Sequence, residues 1–368
     1  MFFYTVVGFL FVLTVVVFFH ELGHFLVARW CGVAVKTFSI GFGPEIFGFT
    51  DRHGTRWRVA WIPLGGYVKF IDDENAASAG QKPLETLSPE ERKRSFQGKP
   101  LWARSAIVAA GPIANFILAV LIFAFLAGFF GEQTTAAKVD AVTPGSAAER
   151  AGFQPGDLVL SIDGRLIANF GEMQEIVSQS AGVTLTFVVD RNGQHIELKA
   201  TPEIKEVTDA FGNKYRVPQL GIQRNAAPTE WSMRRHDPIT ALGIGVEQSY
   251  RIVERSVAYL VNVIGGKEPA DQLGGPIRIA QISGQVASLG FVPLLNLAAI
   301  ISVSIGFLNL LPIPMLDGGH LLYYAIEGLR GRPLSERSQE IGFRIGLALV
   351  LVLLLFATRN DLMHLLFS

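Results

Sequence analysis

The chain has 368 residues, 49 % of them hydrophobic and 27 of them phenylalanine, and its mean hydropathy is +0.35. These values are high for a soluble protein and place it among integral membrane proteins. Its 32 basic and 32 acidic residues cancel, and no basic stripe interleaved with aromatics appears, so composition argues against a nucleic-acid partner. The single cysteine, Cys31, excludes an internal disulfide framework and a CxxC metal site.

The first segment, 1–30, is uncharged through Phe19 and then carries His20-Glu21-Leu22-Gly23-His24. On a helix, histidines at i and i+4 share one face and can bind one zinc, while the intervening glutamate can act as general base. Ionisable side chains inside a membrane helix cost about 2.5–3.5 kcal/mol each on insertion scales, so three together argue for a function. The segment lacks a basic leading region and a small-residue cleavage site, so it reads as a retained helix rather than a signal peptide. His20 stands about 27 Å along that helix from Phe2, near the far edge of a hydrocarbon core of about 30 Å.

Residues 31–104 are crowded with Lys and Arg and read as a cytoplasmic loop. Within it, 59–68 has the aromatic and β-branched content of strands, and the glycine-rich 41–48 reads as mobile. A second span is expected at 105–130. From 131 to 205 the pattern becomes short apolar runs separated by turn signals, which defines a small α+β domain. Its expected strands are 139–142, 158–162, 185–190 and 195–200, with helices at 146–150 and 170–180. Residues 203–235, polar and rich in turn residues, read as extra strand and linker, and 206–290 as a whole as linker plus an amphipathic helix at 239–264, because Glu247, Arg251, Glu254 and Arg255 make spanning too costly. A third span, 291–322, is broken near its end. A basic loop at 323–340 and a fourth span at 341–358 complete the chain. The charge bias puts both basic loops in the cytoplasm, and hence 131–290 and both termini on the opposite side.

Catalytic zinc usually takes three protein ligands, so the two histidines need a partner. The segment Asn309-Leu310-Leu311-Pro312-Ile313-Pro314-Met315-Leu316-Asp317-Gly318-Gly319-His320 offers two, Asp317 and His320. Its prolines interrupt the helix and its glycines permit close backbone approach. A straight helix from Val292 would put Asp317 about 37 Å along, again at the cytoplasmic end. Spacing leaves open which of the two is the ligand, and also whether Asp317 only caps the following turn.

With these motifs in view, the chain resembles the site-2 proteases, intramembrane zinc metalloproteases of peptidase family M50, and among them the bacterial regulator-of-sigma-E branch. The carriers are Phe19 to His24, Leu64-Gly65-Gly66-Tyr67-Val68-Lys69-Phe70, Ala110-Gly111-Pro112-Ile113-Ala114-Asn115-Phe116, Gly274-Gly275-Pro276-Ile277 and Asn309 to Gly319. The resemblance implies one zinc per chain held by His20, His24 and Asp317, with Glu21 as catalytic base. It assigns Asn309 to substrate binding and Gly65, Gly66, Tyr67 and Val68 to a membrane-associated β element beside the site. Such an element has a physical rationale: a peptide bond inside a helix is closed to attack, and an edge strand can hold the unwound substrate.

The run Val142 to Gly152, followed by Gly156-Asp157 and Ile162-Asp163-Gly164, resembles a bacterial PDZ domain. One copy is visible, where several members of the branch carry two. The resulting expectation is a multi-span helical protein of the bacterial inner membrane with four transmembrane helices and an inserted periplasmic PDZ domain. Its site would lie near the cytoplasmic face and cleave single-span membrane proteins in the lipid bilayer, such as an anti-sigma factor or remnant signal peptides. The alternative is a non-enzymatic PDZ scaffold with a structural metal site, against which Glu21 speaks, since a structural site has no use for a general base. A metal permease would need further intramembrane ligand clusters, which the other spans lack.

Overall fold

A computed structural model describes residues 2–73, 86–208, 214–227, 230–266, 270 and 274–367. The chain begins with α1 (Phe2–Trp30), then two long strands, β1 (Val35–Thr50) and β2 (Arg56–Phe70). A short helix, α2 (Pro89–Arg94), precedes α3 (Leu101–Phe125), which widens into a π turn at Leu126–Phe130. Next come β3 (Glu132–Thr134), β4 (Ala141–Val142), α4 (Ala147–Arg150), β5 (Leu158–Ile162), β6 (Arg165–Leu166) and α5 (Phe170–Gln179). They are followed by β7 (Leu185–Arg191), β8 (Gln194–Ala200), β9 (Glu203–Thr208), β10 (Lys214–Gln219), β11 (Ile222–Gln223) and β12 (Ser232–Arg234). The chain ends in helices α6 (Pro238–Ile264), α7 (Pro276–Ser288), α8 (Phe291–Leu310), α9 (Asp317–Arg330) and α10 (Glu336–Phe367). Two compact units result, Met1–Leu126 with Pro238–Phe367, and Ala127–Asp237.

In the first unit, α1, α3 with its π turn, α8 and α10 are long and apolar enough to cross a membrane. Even α8, at 20 residues, reaches about 30 Å, the thickness of a hydrocarbon core. The 27-residue α6 carries Glu247 and Arg251 as an exposed i,i+4 ion pair and is not among these spans. Helix α1 packs on α3, α7 and α8, and α3 on α6, α8 and α9. The contacting faces are built from small residues: α1 buries Gly8 and Gly23, α6 buries Ala241, Gly245 and Ser249, and α8 buries Ala298, Ala299, Ser302 and Gly306. Lipid tails give helices little hydrophobic reason to associate, so close backbone approach supplies the packing.

The two long strands fold over each other into more than a hairpin. Thr37 pairs with both Arg56 and Lys69, and Ile40 with both Val59 and Gly66, while Val59 also pairs with Phe47. The sheet therefore runs 66–70, 35–40, 56–60, 45–50, with the Gly66 segment at one edge. The stretch 41–48, read from its glycines as mobile, is strand. Gly41 and Gly43 both sit at φ +87°, where a side chain is disfavoured, and a Cβ on Gly41 would come within 2.8 Å of the Ile62 carbonyl oxygen. The glycines bend the strand onto its partner.

The third span ends where its prolines begin. Helix α8 stops at Leu310, and the chain turns through Pro312 and Pro314 with Met315 at φ +86°, a left-handed conformation unusual for a side-chain-bearing residue. A new helix starts at Asp317. The segment 323–340, expected as the loop between the last two spans, carries helix: α9 continues to Arg330, is closed by Gly331 at φ +68°, and α10 begins at Glu336. Residues 323–330 are amphipathic rather than apolar, so a span-based reading cuts them off. Near the other end of α10, Asp361 is 2 % exposed and accepts the backbone N–H groups of Gly275, Ile277 and Arg278. The Gly274-Gly275-Pro276-Ile277 motif is thus the start of α7, capped by a carboxylate from the last span.

The second unit is built around the antiparallel sheet β6-β5-β7-β8. Alternation along β7 buries Leu185, Phe187 and Val189, which join Val139, Phe153, Val159, Ile162 and Met173 in one core. Asn169 and Ser146 accept backbone N–H bonds at the starts of α5 and α4. The expected strand 139–142 is shorter than read: only Ala141 and Val142 pair, with Gln223 and Ile222. The extra strand expected in 203–235 is found as a pair, β9 antiparallel to β10. Asp157, fully buried, is gripped at both oxygens by Arg191, 2.7 and 2.8 Å away, and accepts the Gln154 N–H.

Candidate metal centre

One helical turn sets His20 and His24 on the α1 face that meets α3, with their Nε2 atoms 3.2 Å apart. The first residue of α9 completes the cluster. Asp317 Oδ2 lies 3.2 Å from His20 Nε2, and Oδ1 lies 3.6 Å from His24 Nε2. These are the only three such side chains among the described residues that converge as a possible metal site. His320, one turn further on α9, does not join them; its ring meets Tyr323 edge-on. Asp317 reaches the histidines because α8 ends and the chain folds back. Gly318 and Gly319 make the fold-back feasible, since a Cβ on either would overlap the carbonyls of 310, 311 or 313.

Helix α3 supports both histidines at positions that motif reasoning did not assign. His24 Nδ1 donates to the Ile107 carbonyl at 2.8 Å. Because a carbonyl can only accept, Nδ1 of neutral His24 carries the proton and Nε2 presents its lone pair. Two turns later, the Asn115 carboxamide nitrogen lies 3.3 Å from His20 Nδ1. Between them, Gly111 leaves room for the rings: a Cβ there would overlap His24 Nε2 and approach His20 Cε1 to 2.9 Å. Ile107, Gly111 and Asn115 recur at i, i+4 and i+8, one face of the helix. A lone asparagine in an apolar span was the available signal.

The donor set fits zinc. Four ligands at 2.0–2.1 Å in a tetrahedron are separated by about 3.3 Å; His20 Nε2 lies 3.2 Å from both His24 Nε2 and Asp317 Oδ2, and one donor atom from each residue falls within 4.8 Å of the others. Asp317 Oδ2 is buried without a hydrogen-bond partner, so a carboxylate oxygen and the Nε2 lone pair of His24 crowd one point. A cation there removes the repulsion.

Glu21, half-buried, meets the sheet edge: a Cβ on Gly66 would lie 2.9 Å from Glu21 Cγ and from Val17 Cγ1. The strand 66–69 therefore runs beside the glutamate. Gly65 adopts φ +128° against the Phe42 ring, and Tyr67 stacks on Phe42. Val68 is 6 % exposed and its side chain belongs to the Phe25, Phe38 and Phe70 core, so only its backbone is available to a ligand. Asn309 is half-buried in the last turn of α8.

An antiparallel edge strand beside a glutamate and a His-His-Asp cluster, with both histidines on a helix of membrane-spanning length and the aspartate at the start of the shorter α9, fits a membrane metallohydrolase. The sequence model of Peptidase family M50 matches residues 8–353, and the chain belongs to that family of zinc metalloproteases. It is 51 % identical to a Rhizobium meliloti protein named provisionally as a zinc metalloprotease, over 98 % of this chain and 96 % of that one. It is 42 % identical to metalloprotease MmpA of Caulobacter vibrioides, over 97 % and 94 % of the two chains. With the regulator of sigma-E protease RseP of Salmonella typhimurium it shares 31 % identity over 96 % and 97 %. A solved PDZ domain of an SdrC-like protein from Listeria monocytogenes is also similar, at 22 % identity over 23 % of this chain and 82 % of that domain, with a TM-score of 0.18.

Proposed function

We propose that this zinc metalloprotease is an intramembrane endopeptidase of site-2 type, cleaving a peptide bond within or near the transmembrane helix of single-span proteins. The observation that carries the reading is the convergence of His20, His24 and Asp317 at 3.2–3.6 Å, with Glu21 on the same helix as the histidines. In this reading His20, His24 and Asp317 hold one zinc per chain. When bound, zinc supplies Lewis-acid chemistry, lowering the pKa of water and polarising a carbonyl. Glu21 takes the proton of the attacking water and delivers it to the departing amine. The backbone of Gly65, Gly66, Tyr67 and Val68 adds the unwound substrate as a further strand, and Asn309 contacts it.

The protein sits in a bacterial inner membrane with the basic loop 31–104 cytoplasmic. Residues 131–205 form a periplasmic PDZ domain. Its substrates are single-span proteins such as an anti-sigma factor, or remnant signal peptides.

The test is reconstitution with a single-span reporter. Glu21→Gln retains zinc and loses about 10²–10⁴ in cleavage rate; undiminished cleavage by that variant, or no cleavage by wild type, overturns the proposal. Zinc retention in Asp317→Asn and His320→Asn tests the ligand set, with loss expected only in the first.

A further inference from the structure

Both histidines of the cluster present Nδ1 to α3, but they meet different partners there. His24 has a backbone carbonyl, which admits one protonation form. His20 has the side chain of Asn115, at 3.3 Å. Asn115 is fully buried, and its main-chain carbonyl accepts Ser302 Oγ from α8 at 2.9 Å. Across that contact, a Cβ on Gly306 would lie 3.3 Å from Asn115 Cβ. The side chain is thus lodged among three helices with its Oδ1 buried and without a hydrogen-bond partner.

A carboxamide has two nearly isosteric ends, one donating and one accepting. With its nitrogen toward His20 it leaves Oδ1 orphaned and asks Nδ1 to be an acceptor, which puts the His20 proton on Nε2, inside the donor cluster. Turned end for end, Oδ1 gains a partner, Nδ1 carries the proton, and the Nε2 lone pair faces Asp317 and His24. One rotation gives His20 the form His24 already has, and the carboxamide nitrogen then takes the buried place of the oxygen. We infer that Asn115 is a positioning residue whose carboxamide oxygen accepts the His20 Nδ1 proton and so holds Nε2 ready for zinc. This rests on the reading of His20 as a ligand through Nε2.

The test uses full-length protein in detergent, with zinc affinity measured by chelator competition and folding by thermal melting. Asn115→Asp keeps an acceptor oxygen and binds zinc close to wild type. Asn115→Leu keeps the volume without an acceptor and weakens zinc by about 10–100-fold. Ser302→Ala, which loosens the Asn115 backbone only, leaves affinity unchanged. Wild-type affinity in the leucine variant overturns the inference, as does an aspartate variant as weak as the leucine one. Should the leucine variant not fold, ¹⁵N-histidine NMR of zinc-loaded wild type and Asn115→Asp decides: a proton on His20 Nδ1 in both supports the inference, and a bare Nδ1 overturns it. His20→Ala separates the two levels, because full zinc affinity in that variant would sink the ligand assignment itself.

Discussion

The two units bury different things. In the helical unit the residues with no exposure include Asn115, Ser302 and Ser283 beside Val16 and Ala298, whereas 127–237 buries Val139, Phe187 and Val189. The second unit's polar groups with no exposure, Ser146 and Asp157, are a helix cap and one half of an ion pair. Where water is the solvent, apolar area drives the fold and polar groups are buried only to finish an element. Where lipid is the solvent, apolar surface faces outward, and the interior is free to hold polar groups and backbone contacts. That freedom lets three ionisable side chains meet between α1, α3 and α9.

The comparison can be broken most severely at Gly111. Gly111→Ala adds one methyl group in a helix, where alanine is favoured by about 1 kcal/mol, yet the new Cβ overlaps His24 Nε2. Zinc retention and proteolysis should both collapse while the melting temperature holds. Gly243→Ala in α6 is the control, because nothing lies within 4 Å of its added Cβ; it should be neutral or slightly stabilising. Metal analysis with thermal melts of both proteins checks this, and a zinc-replete Gly111→Ala would mean that the rings do not sit where described.

In the second unit the sensitive position is a hydrophobe. Phe187 is fully buried and packs edge-on against Phe153 at 5.4 Å. Phe187→Ala should cost about 3–5 kcal/mol, readable as protease sensitivity confined to 127–237 with zinc still bound.

The smallest effect concerns Asp157. Burial pushes its carboxyl up, but the Arg191 guanidinium and the Gln154 N–H outweigh this and hold it below the usual carboxylate range. A carboxylate lowered in the folded state stabilises fully above its unfolded pKa of about 3.9 and loses that contribution as pH falls through the folded value. Acid melts of wild type should therefore show an extra loss below about pH 4, which Asp157→Asn flattens. Parallel acid curves for the two proteins would show that the pair carries no pH-dependent stability.

Legibility in the sequence follows the same division. Strands 158–162 and 185–190 and helix 170–180 were readable because alternation and turn residues report burial directly in a unit packed around one sheet. In the helical unit hydropathy marked the spans but not their ends: α9 was cut short at 322, and the strand at 41–48 was not read as one because its glycines serve the bend. Ile107 could not have been chosen from sequence at all, since its contribution is a main-chain carbonyl that any residue would supply.

By itself the sequence determined the membrane class, the family and the spacing of His20 and His24, because charge, apolar length and helical period are local properties. Tertiary structure alone decided that Asp317, and not His320, meets the histidines, that Gly66 lies against Glu21, and that α3 supplies a hydrogen-bonding atom to each ring. Each of these depends on how far one backbone approaches another, and that distance is set jointly by glycines, prolines and buried carbonyls far apart in the chain.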